Sequence, residues 1–251
     1  FHGIIVLIGG IIISKGVYSI QNTNKILIPS LLLILIICFF RAITLPNAFV
    51  GIKFFFTPDL NELLKPKLWI DALIQNAWDT GAGWGLFLTY AIYIKHKYGI
   101  VKNAFITAIG NNLISLMSGV LIFSTVFSIL LSNGTNKNDI IELMRESGPA
   151  STGLTFIWIP QLFNEMIFGR FLLIIFFLGL FFAGISSFIS MIELSCKNLI
   201  DLGFSRRKSI FYIIFSVFFL GIPSAINSNF FANQDFVWGI GLILSGIFIS
   251  F

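Results

Sequence analysis

Gln75-Asn-Ala-Trp-Asp-Thr-Gly-Ala-Gly-Trp-Gly85 is the stretch on which the reading of the whole chain turns. It lies within residues 70–94, an apolar segment long enough to span a bilayer as a helix, which takes roughly 20 residues. Gly81, Gly83 and Gly85 weaken that helix, because each glycine costs roughly 1 kcal/mol against alanine. Asp79 stands just before them, near the middle of the span. An ionised carboxylate at that depth costs at least ~2.5 kcal/mol unless it faces a cavity or a partner. A helix interrupted beside an acidic group is what an ion or solute site inside a membrane requires. Freed carbonyls bind cations there, and half-helix N-termini face anionic groups. Glycines alone read equally well as a close helix–helix contact. Asp79, with Gln75, Asn76, Trp78 and Trp84 around it, favours the site.

The rest of the chain agrees with a membrane setting. Of its 251 residues, 57% are hydrophobic and 11% charged, against about 25% charged in globular proteins; the mean hydropathy is +0.94. Long apolar runs, rather than short alternating ones, select α-helices, which satisfy their own backbone hydrogen bonds in lipid. Residues 1–13, 26–45, 70–94, 104–131, 171–200, 210–226 and 237–251 read as spans. The first and last read as helices cut by the chain ends. Pro29 is placed in a first turn, where proline is tolerated, and residues 14–24 read as a polar loop. Residues 155–163 read as a short re-entrant or surface helix. The fold class is therefore an all-α polytopic membrane protein.

Positive charge sets the sidedness. Lys15 with Lys25, Lys95 with Lys97 and Lys102, and Arg206 with Arg207 and Lys208 fall in alternate short connections, which are expected in the cytoplasm. The longer connections, 46–69, 132–170 and 227–234, face outside. The formal charge of +5 comes from these short connections and points to no nucleic acid. Cys38 and Cys196 sit in apolar runs and read as small core residues. His2 and His96 fit neither metal-ligand nor general-base spacing. With no nucleophile–base pair or phosphate loop, no enzyme is expected.

At this point the residues resemble the neurotransmitter:sodium symporter family. The resemblance runs along the whole chain and rests on motifs in order: Phe54-Phe-Phe-Thr-Pro-Asp59, the interrupted helix with Gln75 and Gly83-Trp-Gly85, Asn111-Asn-Leu-Ile-Ser115, Phe181-Phe-Ala-Gly-Ile-Ser-Ser187, Gly221-Ile-Pro-Ser-Ala225 and Asp235-Phe-Val-Trp-Gly239. It implies a LeuT-type inverted-repeat fold, represented from the end of the fourth helix to the start of the tenth. Residues 1–45 would end the first repeat, 46–69 form an extracellular connection, and 70–251 the second repeat with a lid near 132–165.

The same resemblance implies the roles of particular residues. One sodium site would use Asp79 and Asn111; a second would use Ala183, Ser186 and Ser187. Trp78, Gly81, Trp84, Ser187 and Met191 would line the substrate pocket. Gln75, Asp79 and Ser115 match the chloride-site positions of chloride-dependent members. Asp235 and Asp201 match the outer and inner gate carboxylates, and Tyr93 an inner-gate brace. Asp79 departs from the serine or threonine common in the family, so either its fixed charge stands in for chloride or it carries a proton through the transport cycle. The implied function is sodium-coupled symport of an amino acid or small amine across the plasma (cell inner) membrane. The alternative is a transport-inactive sensor or scaffold of the same fold. Read without the family, Asp201 would be a solvated helix cap and Asp235 a helix N-cap. Glu193 is given no role.

Overall fold

The computed structural model describes residues 1–14, 17–81, 83–91, 99–145, 156, 159–164 and 166–250. The described elements, in chain order, are α1 (His2–Ser14), α2 (Val17–Ile43), α3 (Ala48–Phe55), a 3-10 turn (Leu60–Leu64), α4 (Pro66–Thr80), α5 (Leu86–Ala91), α6 (Ile100–Ser132), α7 (Lys137–Arg145), α8 (Ile159–Asn164), α9 (Gly169–Asp201), α10 (Arg206–Ile226) and α11 (Ser228–Ser250). No strand occurs among the described residues. Among the described residues, five helices, at Ser19–Ile43, Ile100–Ser132, Gly169–Asp201, Arg206–Ile226 and Ser228–Ile249, are long and apolar enough to cross a membrane.

The structure departs furthest from the sequence reading in three places, each with a physical reason. Residues 17–24, expected as loop, form the first turns of α2. Gln21 and Asn22 are exposed, but Ile20 is buried in the cluster of Ile13, Ile185, Ile189, Ile192 and Cys196, with Leu27 packed against it. Ile20 and Leu27 are two turns apart, so one buried stripe carries the helix out through a polar run. Pro29 therefore lies inside α2 and not in its first turn. It has no N–H to give the preceding turn, and next to it the Ser30 hydroxyl donates to the Ile26 carbonyl at 2.7 Å.

α11 starts nine residues before the expected Val237. Asn227 makes this possible. Its own N–H bonds the Pro223 carbonyl at 3.1 Å and closes α10. Its side-chain oxygen accepts the N–H groups of Asn229 and Phe230 at 2.9 and 3.0 Å and opens α11. Asp235 is consequently an interior residue of α11, and Asn227 holds the cap that the sequence reading gave to Asp235.

The connection 46–69 is also more ordered than a loop. α3 packs on α6 so closely that a Cβ on Gly51 would lie 2.2 Å from the Phe123 carbonyl oxygen. Asp59 caps the 3-10 turn by accepting the Asn61 N–H at 3.0 Å. The Trp69 indole N–H reaches back to the Leu63 carbonyl at 2.8 Å.

The chain divides into two compact units. One contains residues 1–30, 70–104 and 181–251, and its core is the Ile13–Ile189–Cys196 cluster where α1 and α2 meet α9. The other contains residues 31–69 and 105–180. Its core gathers Leu45, Ala48, Phe127, Ile140, Phe163 and Leu172, which places α7 and α8 over the buried end of α6 and the start of α9. α7 carries Ile140 inward while Asn138 and Asp139 stay exposed, the pattern of a helix lying on a surface.

Candidate functional site: the interrupted helix and its neighbours

The segment that opened the sequence reading is two helices and a turn. α4 ends at Thr80 and α5 begins at Leu86. Between them Gly81, Gly83 and Gly85 have φ values of 69°, 80° and 76°. That left-handed region is one L side chains rarely adopt, which is why glycine recurs at alternate positions. The Gly81 carbonyl accepts the Trp84 N–H at 3.2 Å, and the Gly85 carbonyl accepts the Thr89 N–H at 3.0 Å. The Gly83 carbonyl points away from the chain's own turn and accepts the Ser245 hydroxyl of α11 at 2.6 Å.

Asp79 stands in the last turn of α4. Its carboxylate accepts a hydrogen bond from the Gln75 amide one turn earlier, at 3.0 Å, and the side chain is exposed on this chain. Trp78 and Trp84 flank the break and meet edge to face, with ring centroids 5.4 Å apart. Trp78 Nε1 is buried and finds no acceptor among the described residues. Trp78, Gly81 and Trp84, expected together at the pocket, thus lie together at the break.

The second sodium-site candidates sit on α9, in the same compact unit. The Ser186 hydroxyl donates to the Ala183 carbonyl at 2.9 Å. This is the self-bond that a serine in a membrane helix often makes. It also holds two oxygens side by side, and the lone pairs of the donating hydroxyl stay available to a cation. Ser187 is exposed, with Met191 one turn later half-buried on the same face. Leu194 brings α9 to the break: a Cβ on Gly85 would lie 3.7 Å from its Cδ1.

Asn111 and Ser115 belong to the other unit, on α6 N-terminal to its buried residues Val120–Ile129. The Asn111 amide nitrogen is buried and finds no acceptor among the described residues. Of the gate candidates, Asp201 ends α9 and pairs with Lys197 at 2.6 Å. Asp235 is half-buried on α11. Tyr93 lies outside the described residues.

One constellation was not read from the sequence. Glu193 is fully buried on α9, and its two carboxylate oxygens accept both Nη groups of Arg206 at 3.0 and 2.8 Å. Arg206 Nη2 also donates to the Ile13 carbonyl at the end of α1, at 2.8 Å. One guanidinium therefore joins three helices in the geometry that suits a fork of donors. The sequence signal was a lone acid in an apolar run, which membrane burial makes costly without a partner.

Comparison with known proteins fits this geometry. The model of the sodium:neurotransmitter symporter family matches residues 2–236. An uncharacterised sodium-dependent transporter of Methanocaldococcus jannaschii is 32% identical over 207 residues, covering 81% of this chain and 41% of that protein. The sodium-dependent serotonin transporter of Drosophila melanogaster is 30% identical over 243 residues, 94% of this chain and 38% of that protein. The chain spans less than half the length of these curated relatives. The crystal structure of MhsT in complex with L-phenylalanine shares the fold, with a TM-score of 0.82 at 24% identity over 98% of this chain and 56% of that one. The protein is a multi-pass, all-α membrane protein of LeuT-type fold, and the chain belongs to the sodium:neurotransmitter symporter family.

Proposed function

We propose that the protein carrying this chain is a sodium-coupled symporter of an amino acid or related small amine, working by alternating access in the plasma membrane. The observation that carries the reading is the glycine break of α4 and α5 beside the Asp79 carboxylate, in the same compact unit as the Ala183–Ser186 oxygen pair. Hard cations take several oxygen ligands, and a broken helix supplies them without a dedicated cage. Asp79 and Asn111 are proposed for one sodium ion, and Ala183, Ser186 and Ser187 for the second. Trp78, Gly81, Trp84, Ser187 and Met191 contact the substrate in this reading, and Asp235, Asp201 and Tyr93 serve the gates. The proposed division into repeats places residues 1–45 at the end of the first and 70–251 in the second. Coupling is thermodynamic, each sodium ion entering down 100 mV contributing about 2.3 kcal/mol.

The test is uptake by the complete gene product in proteoliposomes, with a panel of labelled amino acids and amines and an inward sodium gradient. Saturable uptake that disappears when choline replaces sodium is expected. Its absence across the panel overturns the reading. Sodium-dependent binding without uptake identifies the transport-inactive sensor instead, a role compatible with an unusual carboxylate at Asp79.

A further inference from the structure

The break of α4 and α5 is held from outside its own helices, and the element that holds it is α11. A break with three glycines has little local stiffness, since glycine loses more conformational freedom on ordering than any other residue. The contacts that restrict it come from one face of α11. Gly83 abuts the Leu242 carbonyl and Gly246 so closely that a Cβ on Gly83 would lie 2.3 Å from the Leu242 oxygen and 3.0 Å from the Gly246 nitrogen. The Ser245 hydroxyl donates to the Gly83 carbonyl at 2.6 Å. Two turns earlier, Gly239 leaves the space that Trp78 and Ile74 fill. A Cβ there would lie 2.7 Å from Ile74 Cγ2 and 3.1 Å from Trp78 Nε1.

We propose that α11 positions the break: Ser245 fixes the Gly83 carbonyl, and Gly239 sets the tilt of the Trp78 ring. Both are positioning residues, acting through the backbone at Gly83 and through the indole. The Ser245 bond takes one of the two lone pairs of the Gly83 carbonyl and fixes the direction in which that oxygen points. It also fixes the backbone that carries Trp84, and Gly239 fixes Trp78, so the 5.4 Å edge-to-face pair is built on α11. A break already ordered when sodium arrives removes an ordering cost from the apparent affinity. That consequence for sodium rests on the transport reading above; the positioning itself does not.

Three measurements test it on the complete gene product. In hydrogen–deuterium exchange, Ser245→Ala should raise exchange of the amides at residues 81–86 about five-fold, the worth of one net hydrogen bond. Ser245→Thr, which keeps the hydroxyl, should restore protection. Gly239→Ala should change the near-ultraviolet circular dichroism of the tryptophans while leaving far-ultraviolet helicity intact. A sodium titration read by tryptophan fluorescence should show a midpoint several-fold higher in Ser245→Ala, with an undiminished amplitude. Unchanged exchange at 81–86 in folded Ser245→Ala overturns the proposal, as does an unchanged tryptophan signal in Gly239→Ala. If Ser245→Ala does not fold, the Gly239→Ala spectrum decides alone. A wild-type protein without any sodium-dependent signal defeats the transport reading, while the exchange arm still decides the positioning.

Discussion

Gly83 concentrates the demands on single residues in this chain. Its φ of 80° disfavours any side chain, and the Leu242 carbonyl leaves no room for one. Backbone cannot yield as a flexible side chain can, so Gly83→Ala should lower the melting temperature in detergent sharply, or prevent accumulation of folded protein. Gly246→Ala should melt nearly as the wild type, because its methyl group would approach Gly83 Cα no closer than 3.9 Å. Asp79 and Gln75 were legible in the sequence because a carboxylate in an apolar run is costly and an i, i+4 amide is placed to satisfy it. Their pairing bears on the anion question. If Asp79 supplies the fixed negative charge, wild-type uptake should be unchanged when gluconate replaces chloride. Asp79→Ser should then retain uptake only in chloride. Collapse of wild-type uptake in gluconate would sink the charge-substitution idea. Ser245, by contrast, was not legible: its acceptor lies 162 residues earlier, and a serine near the end of an apolar helix carries no local sign of a tertiary bond.

At the scale of elements, α1, α9 and α10 are joined by a buried ion pair as well as by apolar packing. Glu193 is 0% exposed, and Arg206 reaches it from the first turn of α10. Removing one partner of such a pair typically costs about 3–5 kcal/mol, because the other charge is left buried. Glu193→Gln and Arg206→Met should therefore each lower the melting temperature by several degrees. The double replacement Glu193→Leu with Arg206→Met should melt above either single variant, since no uncompensated charge remains. A double variant less stable than both would contradict the ion-pair account. The sequence reading treated Arg206 as a solvated loop charge beside Arg207 and Lys208. Tertiary structure reassigns it, because the first turn of α10 aims its side chain at Glu193 and the Ile13 carbonyl. Asn227 is a second case: one residue closes α10 and opens α11, and composition alone favoured a longer loop.

For the whole molecule, the distribution of lysine and arginine fixes an expected sidedness that accessibility can measure. Lys208 in the first turn of α10 and Asn138 in α7 are both exposed, and the charge pattern of the sequence expects them on opposite sides. In sealed vesicles of known orientation, a membrane-impermeant maleimide should label Lys208→Cys from the cytoplasmic face and Asn138→Cys from the outer face. Labelling of both from one side would overturn the assignment. The sequence by itself determined the class of solvent, the apolar cores of the long helices, and the helix that is interrupted. Those properties depend on composition and on neighbours within a turn or two, and the cost of burying polar backbone in lipid leaves few alternatives. Only the tertiary structure decided which helices share a core, that Glu193 is neutralised by Arg206, and that α11 holds the Gly83 carbonyl. Each of these depends on close approach between residues far apart in the chain, and neither hydropathy nor helical periodicity carries that information.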